Sequence, residues 1–295
     1  MSHSPAVVSQ QDSVTISRGA RLARRMWRNR SLWFGILIVA AVIVVALLAS
    51  WISPFTPDQQ NYASLLQGPS AQHWLGTDDL GRDQLTRIFF GARTSMEVTL
   101  GAVVLGIVIG VPVGLLSGFY GGVVDDWVVM RFVDALQAFP FLIMALVLAA
   151  VLGPGIGNAM IAIGIGYIPT FIRTVRGQVI AESKRDYVQS ARSLGAGDWR
   201  IMVKHIFPNI TSPLIVQTSL AMASGIVAEA SLSYLGLGAQ PPTSSWGSML
   251  KVGQGYITND PWLSIIPGLA IVVAVLGFNL LGDGLRDYWD PRQRQ

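Results

Sequence analysis

Apolar and polar stretches alternate along this chain on the scale of a bilayer rather than of a soluble core. Residues 32–52 form an unbroken run without a charge. Five further runs follow at roughly 98–119, 128–152, 156–174, 210–232 and 263–281, each close to the ~20 residues that carry a helix across ~30 Å of hydrocarbon. Six membrane-spanning helices are therefore expected. Pro140 should bend the third, and Pro112 and Pro169 should interrupt the second and fourth. The fifth run is the least lipid-like. Thr211, Ser212, Gln217, Thr218, Ser219, Ser224 and Glu229 give it a polar face that must meet other protein or a hydrated cavity.

Composition agrees: of 295 residues, 51% are hydrophobic and only 13% charged. The first run is too long for a signal-peptide core, and no small-residue cleavage site follows it. The absence of cysteine excludes disulfides, thiolate metal sites and cysteine nucleophiles. Charge sets direction. Arg18, Arg21, Arg24, Arg25, Arg28 and Arg30 precede the first span and place the N-terminus in the cytoplasm. Six crossings bring 173–209, with seven Lys/Arg, and Arg286, Arg292 and Arg294 to the same side, while the outer loops 53–97 and 233–262 hold four. The basic balance thus reflects orientation, not nucleic-acid binding, whose aromatic and basic interleaving is absent. The chain divides into a cytosolic tail (1–30), a first helix with its outer loop (31–91), a transmembrane core (92–285) containing a cytosolic element at 183–208, and a C-terminal tail (286–295).

That cytosolic element is the most informative stretch. Residues 183–194 favour a helix with Tyr187, Ala191 and Leu194 on one apolar stripe. Gly195-Ala196-Gly197 breaks it. Asp198 is placed to cap a second short helix, with Trp199, Met202, Val203 and Ile206 on a shared face and Pro208 ending it. On spacing alone, an ordinary juxtamembrane hairpin reads the same way. The stretch nonetheless resembles the EAA loop of ABC-transporter permeases: Glu-Ala-Ala, three residues, Gly, nine residues, Ile-x-Leu-Pro. Ala191, Gly195 and Pro208 fall in register, while Gln189, Ser190, His205 and Phe207 depart from the pattern.

A second resemblance lies in the first outer loop, HWLGTDDLGRDQLTRIFFGARTS (73–95). It is similar to the phrase LGTDxxGRDxxSRxxxGxR of C-type permeases in peptide and nickel importers, with Thr86 in place of the usual serine. From the residues themselves, Thr77-Asp78-Asp79 before Gly81 predicts a capped turn. Asp83 and Arg87 are spaced as an i, i+4 pair worth about 0.3–0.5 kcal/mol if exposed. Asp78, Asp79 and Asp83 could suggest a metal, but Arg82 and Arg87 stand close enough to neutralise them. His73 reads as packed or capping.

Gly121-Gly122 predicts a tight cytosolic turn. Beyond it, Arg131 and Asp134 read first as an intrahelical ion pair and second as an inner gate. Glu229 has three readings: lining the solute route to meet an amino group, pairing with an arginine, or sitting protonated in a helix contact. Trp246 and Trp262 fall at interface depth. The segment 120–140 and the ending 279–292 also resemble the peptide-importer branch.

No energy source is visible. None of Lys184, Lys204 and Lys251 follows glycine, so no phosphate-cradling Walker A loop exists. An ion-coupled secondary transporter would have to use Glu229 and Asp134. An intramembrane hydrolase lacks any histidine within the spans, since His3, His73 and His205 lie in a tail and two loops. The resemblance implies an all-α membrane protein of six transmembrane helices with type I ABC importer permease architecture, one wrapping helix plus a five-helix core. It further implies a B-type sister permease, two cytosolic ATPase subunits that bind ATP and Mg, an extracytoplasmic solute-binding protein, and a home in the lipid of the bacterial cytoplasmic membrane. The chain itself would hold no catalytic, cofactor or metal site. Asp186, Tyr187, Ser190, Ala191, Leu194, Gly195, Ala196 and Gly197 would face the ATPase; Glu229, Gln217, Ser224, Arg131 and Asp134 are candidates for the pathway. The solute class is a peptide or related small molecule.

Overall fold

The computed structural model describes residues 30–289. The arginines at 18–28, together with Arg292 and Arg294, lie outside the described residues. The chain runs through α1 (Arg30–Ile52), α2 (Gln84–Tyr120), α3 (Asp125–Gln137), α4 (Phe141–Leu152), α5 (Ile156–Glu182), α6 (Asp186–Ser193), α7 (Asp198–Tyr234), α8 (Trp246–Gln254) and α9 (Trp262–Trp289). Among the described residues the only β pairing is one isolated bridge, Thr77 to Asp83. Helices α1, α2, α5, α7 and α9 are each long and apolar enough to cross a bilayer, and α3 with α4 makes a sixth if the bent pair is one span.

Proline acts differently at its several positions. Pro140 sits at the N-cap of α4, and the two halves of the third span meet at 90° there, as its missing N–H and fixed φ demand. Pro112 and Pro169, expected to interrupt their helices, lie inside uninterrupted α2 and α5. Pro208 does not end its helix either. Residues Ile201–Ile206 are π-helical, with the Phe207 N–H donating to the Met202 carbonyl five residues back. The widened turn relieves the clash between the proline ring and the preceding turn, so α7 continues for 37 residues into the fifth span.

Small residues let the helices approach. Along α2, Gly106, Gly110, Gly114 and Gly118 recur every fourth position and face α5. A Cβ at Gly110 would lie 2.6 Å from that of Phe171, and one at Gly114 would lie 2.8 Å from the Ile172 carbonyl oxygen. This is the close backbone packing that drives helix association where lipid removes the hydrophobic incentive. The α2–α5 contact is the most extensive in the molecule. Helix α1 lies against α9 and α2 at the periphery, where Gly35, Gly277 and Gly284 admit Leu281, Ile38 and Leu32 respectively. Most of α1 remains lipid-accessible.

The two ends of the bundle are distinct. At one, the Gly155 N–H donates to the Leu237 carbonyl at 3.1 Å, and Trp246 Nε1 donates to the Ile88 carbonyl at 3.1 Å. These bonds gather the starts of α2 and α5, the end of α7, and α8. At the other, Arg176 near the end of α5 meets Asp125 at the start of α3, and Asn209 Nδ2 on α7 donates to the Tyr187 hydroxyl at 3.0 Å.

Candidate functional site: a rigid hairpin at one end and a charged loop at the other

The hairpin 183–208 forms as a turn between two anchored helices. Helix α5 extends to Glu182 with Ser183 as its C-cap, so α6 starts at Asp186, later than the expected 183. The α6 terminus is a Schellman motif: the Gly195 N–H donates to Arg192 O and the Ala196 N–H to Ala191 O, both at 3.0 Å. Gly195 takes φ +79°, the left-handed conformation this motif requires. Gly197, not Asp198, holds the N-cap position of the next helix. Asp198 instead lies in its first turn, where a carboxylate favours the helix dipole.

Its root is apolar. Val188, Ile201 and Ile206 are fully buried with Val175, Val179 and Ile210. The Tyr187, Ala191 and Leu194 stripe does not join this root. Leu194 is 88% exposed and Tyr187 40%, and on the second helix Trp199 is 72% exposed while Met202 is buried. The helix turns Val188 inward instead, which leaves that stripe facing out. Asp186, Ser190, Gly195 and Gly197 are also exposed, with Ala191 and Ala196 half-buried between them. Side bonds stiffen the base. The Tyr187 hydroxyl donates to Glu182 Oε1 at 2.5 Å, and Arg192 lies over the Phe119 ring at 5.5 Å. Partial burial, reinforced by the Glu182 carboxylate, pushes the Tyr187 phenol up to about 12, so it stays a neutral donor at physiological pH. The arrangement is a fixed knob with an apolar tip.

Nearby, the pair expected between Arg131 and Asp134 is not formed. Asp134 Oδ1 instead accepts from Arg173 of α5 at 2.6 Å, and Arg131 lies 5.1 Å over the Trp127 ring. The stronger contact was not anticipated. Asp125 is 4% exposed and its Oδ2 accepts from both Nε (2.8 Å) and Nη2 (2.6 Å) of Arg176, with Ser117 bonded to the other oxygen. Adjacent carboxylates after the double glycine, and arginines three apart at the end of an apolar run, were its available signal.

At the opposite end, the 73–95 motif folds as a buried charge network. Asp78 Oδ1 accepts the backbone N–H of Leu80 (3.0 Å) and of Arg82 (2.9 Å), closing the predicted turn over Gly81 at φ +70°. Its Oδ2 takes Arg82 Nε at 2.7 Å and lies 3.4 Å from Arg87 Nε. Asp83 does not pair with Arg87. It is the N-cap of α2, accepting the Thr86 N–H at 2.8 Å, and its other oxygen meets His73 Nδ1 at 2.9 Å. Capping took the carboxylate away from the i+4 arginine, which reaches back instead to the Pro57 carbonyl at 3.0 Å. Burial and neighbouring Asp78 raise the Asp79 carboxyl, offset only in part by Arg82. No cluster among the described residues could hold a metal ion.

The polar face of the fifth span is absorbed largely by protein. Ser219 Oγ donates to Phe278 O at 2.8 Å, while Ser224 Oγ and the Tyr167 hydroxyl share a 2.8 Å bond. Ser224 itself is exposed and Gln217 half-buried. Glu229 is 1% exposed, accepts from Ser233 Oγ at 2.7 Å, and has no arginine partner among the described residues. It sits inside the chain rather than at a surface.

Comparison with known proteins agrees with this architecture. Residues 110–295 match the family described as binding-protein-dependent transport system inner membrane component, and residues 17–69 match the N-terminal transmembrane domain of oligopeptide transport permease C. The chain is 39% identical over 292 residues to a dipeptide transport system permease protein of Alkalihalophilus pseudofirmus, covering 99% of this chain and 95% of that one. It is 43% identical over 257 residues to a glutathione transport system permease protein of Pectobacterium atrosepticum (87% and 85% covered), and 40% identical over 274 to a dipeptide permease protein of Haemophilus influenzae (91% and 92%). An inward-facing structure of the MetNI methionine ABC transporter superposes with a TM-score of 0.58 at 19% identity, covering 69% of this chain and 97% of that one, which speaks to the fold. The chain therefore belongs to the family of binding-protein-dependent transport system inner membrane components and is a multi-pass permease subunit of the ABC-importer type.

Proposed function

We propose that this permease imports di- or oligopeptides, forming half of a pathway completed by a sister B-type permease, and that the 186–199 knob couples it to a cytosolic ATPase. The carrying observation is Leu194, 88% exposed at the tip of a Schellman-capped turn whose root is fully buried. An apolar tip fixed on a rigid base is how a protein transmits a partner's motion rather than absorbing it. ATP and Mg would be bound and hydrolysed by two partner ATPases, since no lysine here follows glycine. ATP-driven closure of those subunits would then pull the hairpin and, through continuous α7, the fifth span. An extracytoplasmic binding protein would deliver solute at the opposite end, with the hairpin and both termini cytosolic. Ion-coupled transport is disfavoured: Asp134 is exposed and paired with Arg173, and Glu229 is sealed among side chains of its own chain.

The test is uptake by the assembled transporter in proteoliposomes. Leu194→Arg adds charge at an exposed position, and Gly195→Arg adds bulk where a Cβ meets nothing within 4 Å of this chain but must take the left-handed φ of +79° that holds the turn. Each should leave insertion and co-purification of the sister permease unchanged while peptide uptake falls by roughly tenfold or more, the scale of losing one hot-spot side chain. Unchanged uptake with both variants would remove the hairpin from the coupling path.

A further inference from the structure

The end of the bundle opposite the hairpin contains a cavity of about 350 Å³ between the charged loop and the segment that follows α7. Three cations line it, Arg82, Arg87 and Lys251, and no carboxylate does. Asp78 takes one nitrogen of each arginine from the side, and Pro57 O and Asp79 take others. Arg82 Nη1, Arg87 Nη2 and Lys251 Nζ are left without a protein acceptor among the described residues. Both arginines are more than nine-tenths buried, so they are held in place rather than freely solvated. Lys251 is exposed at the rim, its ammonium over the Gly236 backbone, 2.7 Å from where a Cβ there would sit. The facing wall is equally fixed. Buried Glu229 holds Ser233 Oγ, which in turn accepts the Ala239 N–H at 3.1 Å.

Cationic donors lining one concave site, two of them held fast by burial, are what recognition of an anionic oxygen group requires. The volume admits a residue or two of a small solute and excludes a folded domain. We infer that this cavity is a subsite for a free carboxylate of the imported solute, an inference that rests on the peptide-import reading. Arg82 and Arg87, compensated by Asp78 and Asp79 behind them, offer fixed N–H donors, and Lys251, exposed at the rim, adds the charge that can be removed without disturbing the fold.

The experiment uses the complete importer with its binding protein in proteoliposomes. Uptake of a peptide with a free C-terminal carboxylate is compared with uptake of its C-terminal amide, each referred to the unsubstituted transporter. Lys251→Gln should lower carboxylate-peptide uptake about tenfold relative to the amide, the size of one charge-assisted hydrogen bond. Lys251→Arg should restore it. Equal loss of both peptides would overturn the subsite and assign Lys251 to docking or assembly; unchanged uptake of both would overturn it as well. Failure of the unsubstituted importer to carry either peptide would reject peptide import itself, and the subsite with it.

Discussion

Asp78 and Asp79 are neighbours in sequence with opposite consequences. Asp78 is 4% exposed and serves two buried guanidiniums and two backbone N–H groups. Asp78→Ala should cost about 3–5 kcal/mol, because it strands buried charge. Thermal unfolding of the detergent-solubilised protein should register this as a large drop in Tm, and a wild-type Tm would refute the network's role. The Asp79 carboxyl is raised, chiefly by desolvation. A raised carboxyl binds its proton more readily folded than unfolded, so its contribution to stability is full at low pH and is lost as pH rises through the folded value. Asp79→Asn should therefore match or exceed wild-type Tm at pH 8, with the two converging toward pH 4. A lower Tm at pH 8 would show that the 3.4 Å contact with Arg82 outweighs desolvation. The turn at 77–81 and the neutralising arginines were legible from residue types. The partner choice was not: whether Asp83 caps a helix or pairs with Arg87 depends on where α2 starts, and α2 starts well before its apolar run does.

At the scale of elements, hydropathy located every span but placed several boundaries wrongly. Transfer energy marks where lipid begins, whereas helices end where caps and packing end them. Hence α2 extends to Gln84 and α7 back to Asp198 beyond their apolar windows. Pro208 misled for a related reason, since a π-helical segment is invisible to hydropathy and to proline rules alike. The four-residue glycine spacing of α2 was equally present in the sequence, but its meaning depends on which helix it faces. With α5 identified as that neighbour, the position becomes testable. Gly110→Leu would push a side chain into Phe171 and the Ile168 carbonyl, 2.6 and 3.0 Å from the first added carbon, at a cost of about 1–3 kcal/mol. Gly177→Ala, on an exposed helical face with no neighbour within 4 Å, should stabilise by about 0.5–1 kcal/mol. Paired Tm measurements check both. Equal tolerance of the two substitutions would mean that α2 and α5 do not pack through glycine.

For the molecule as a whole, the decisive question is whether the bent pair α3–α4 crosses the membrane or returns to the side it left. Its beginning is fixed at the hairpin end, because Asp125 is bonded to Arg176 near the end of α5. Its end is fixed at the other, because Asn158 Nδ2 donates to the Leu152 carbonyl at 2.8 Å and Gly155 is bonded to Leu237 beyond α7. A segment tied at both ends of a bundle must traverse it, despite a 90° bend at 138–140. Six crossings follow, the number that positive charge also requires for the arginines before the first span and the basic 173–209 stretch to share a side. The absence of cysteine makes the test clean, since any introduced thiol is the chain's only one. Val123, Leu194 and Asp287 are exposed at the hairpin end, and Gly68, Pro154 and Trp74 at the other. Single cysteines at 68, 74 and 154 should react with a membrane-impermeant maleimide in right-side-out vesicles, while those at 123, 194 and 287 react only after the membrane is opened. Labelling of position 154 with the second group would make α3–α4 a re-entrant loop. The end of α5 and the hairpin would then lie on the outer side, where no ATP-binding partner could reach Leu194.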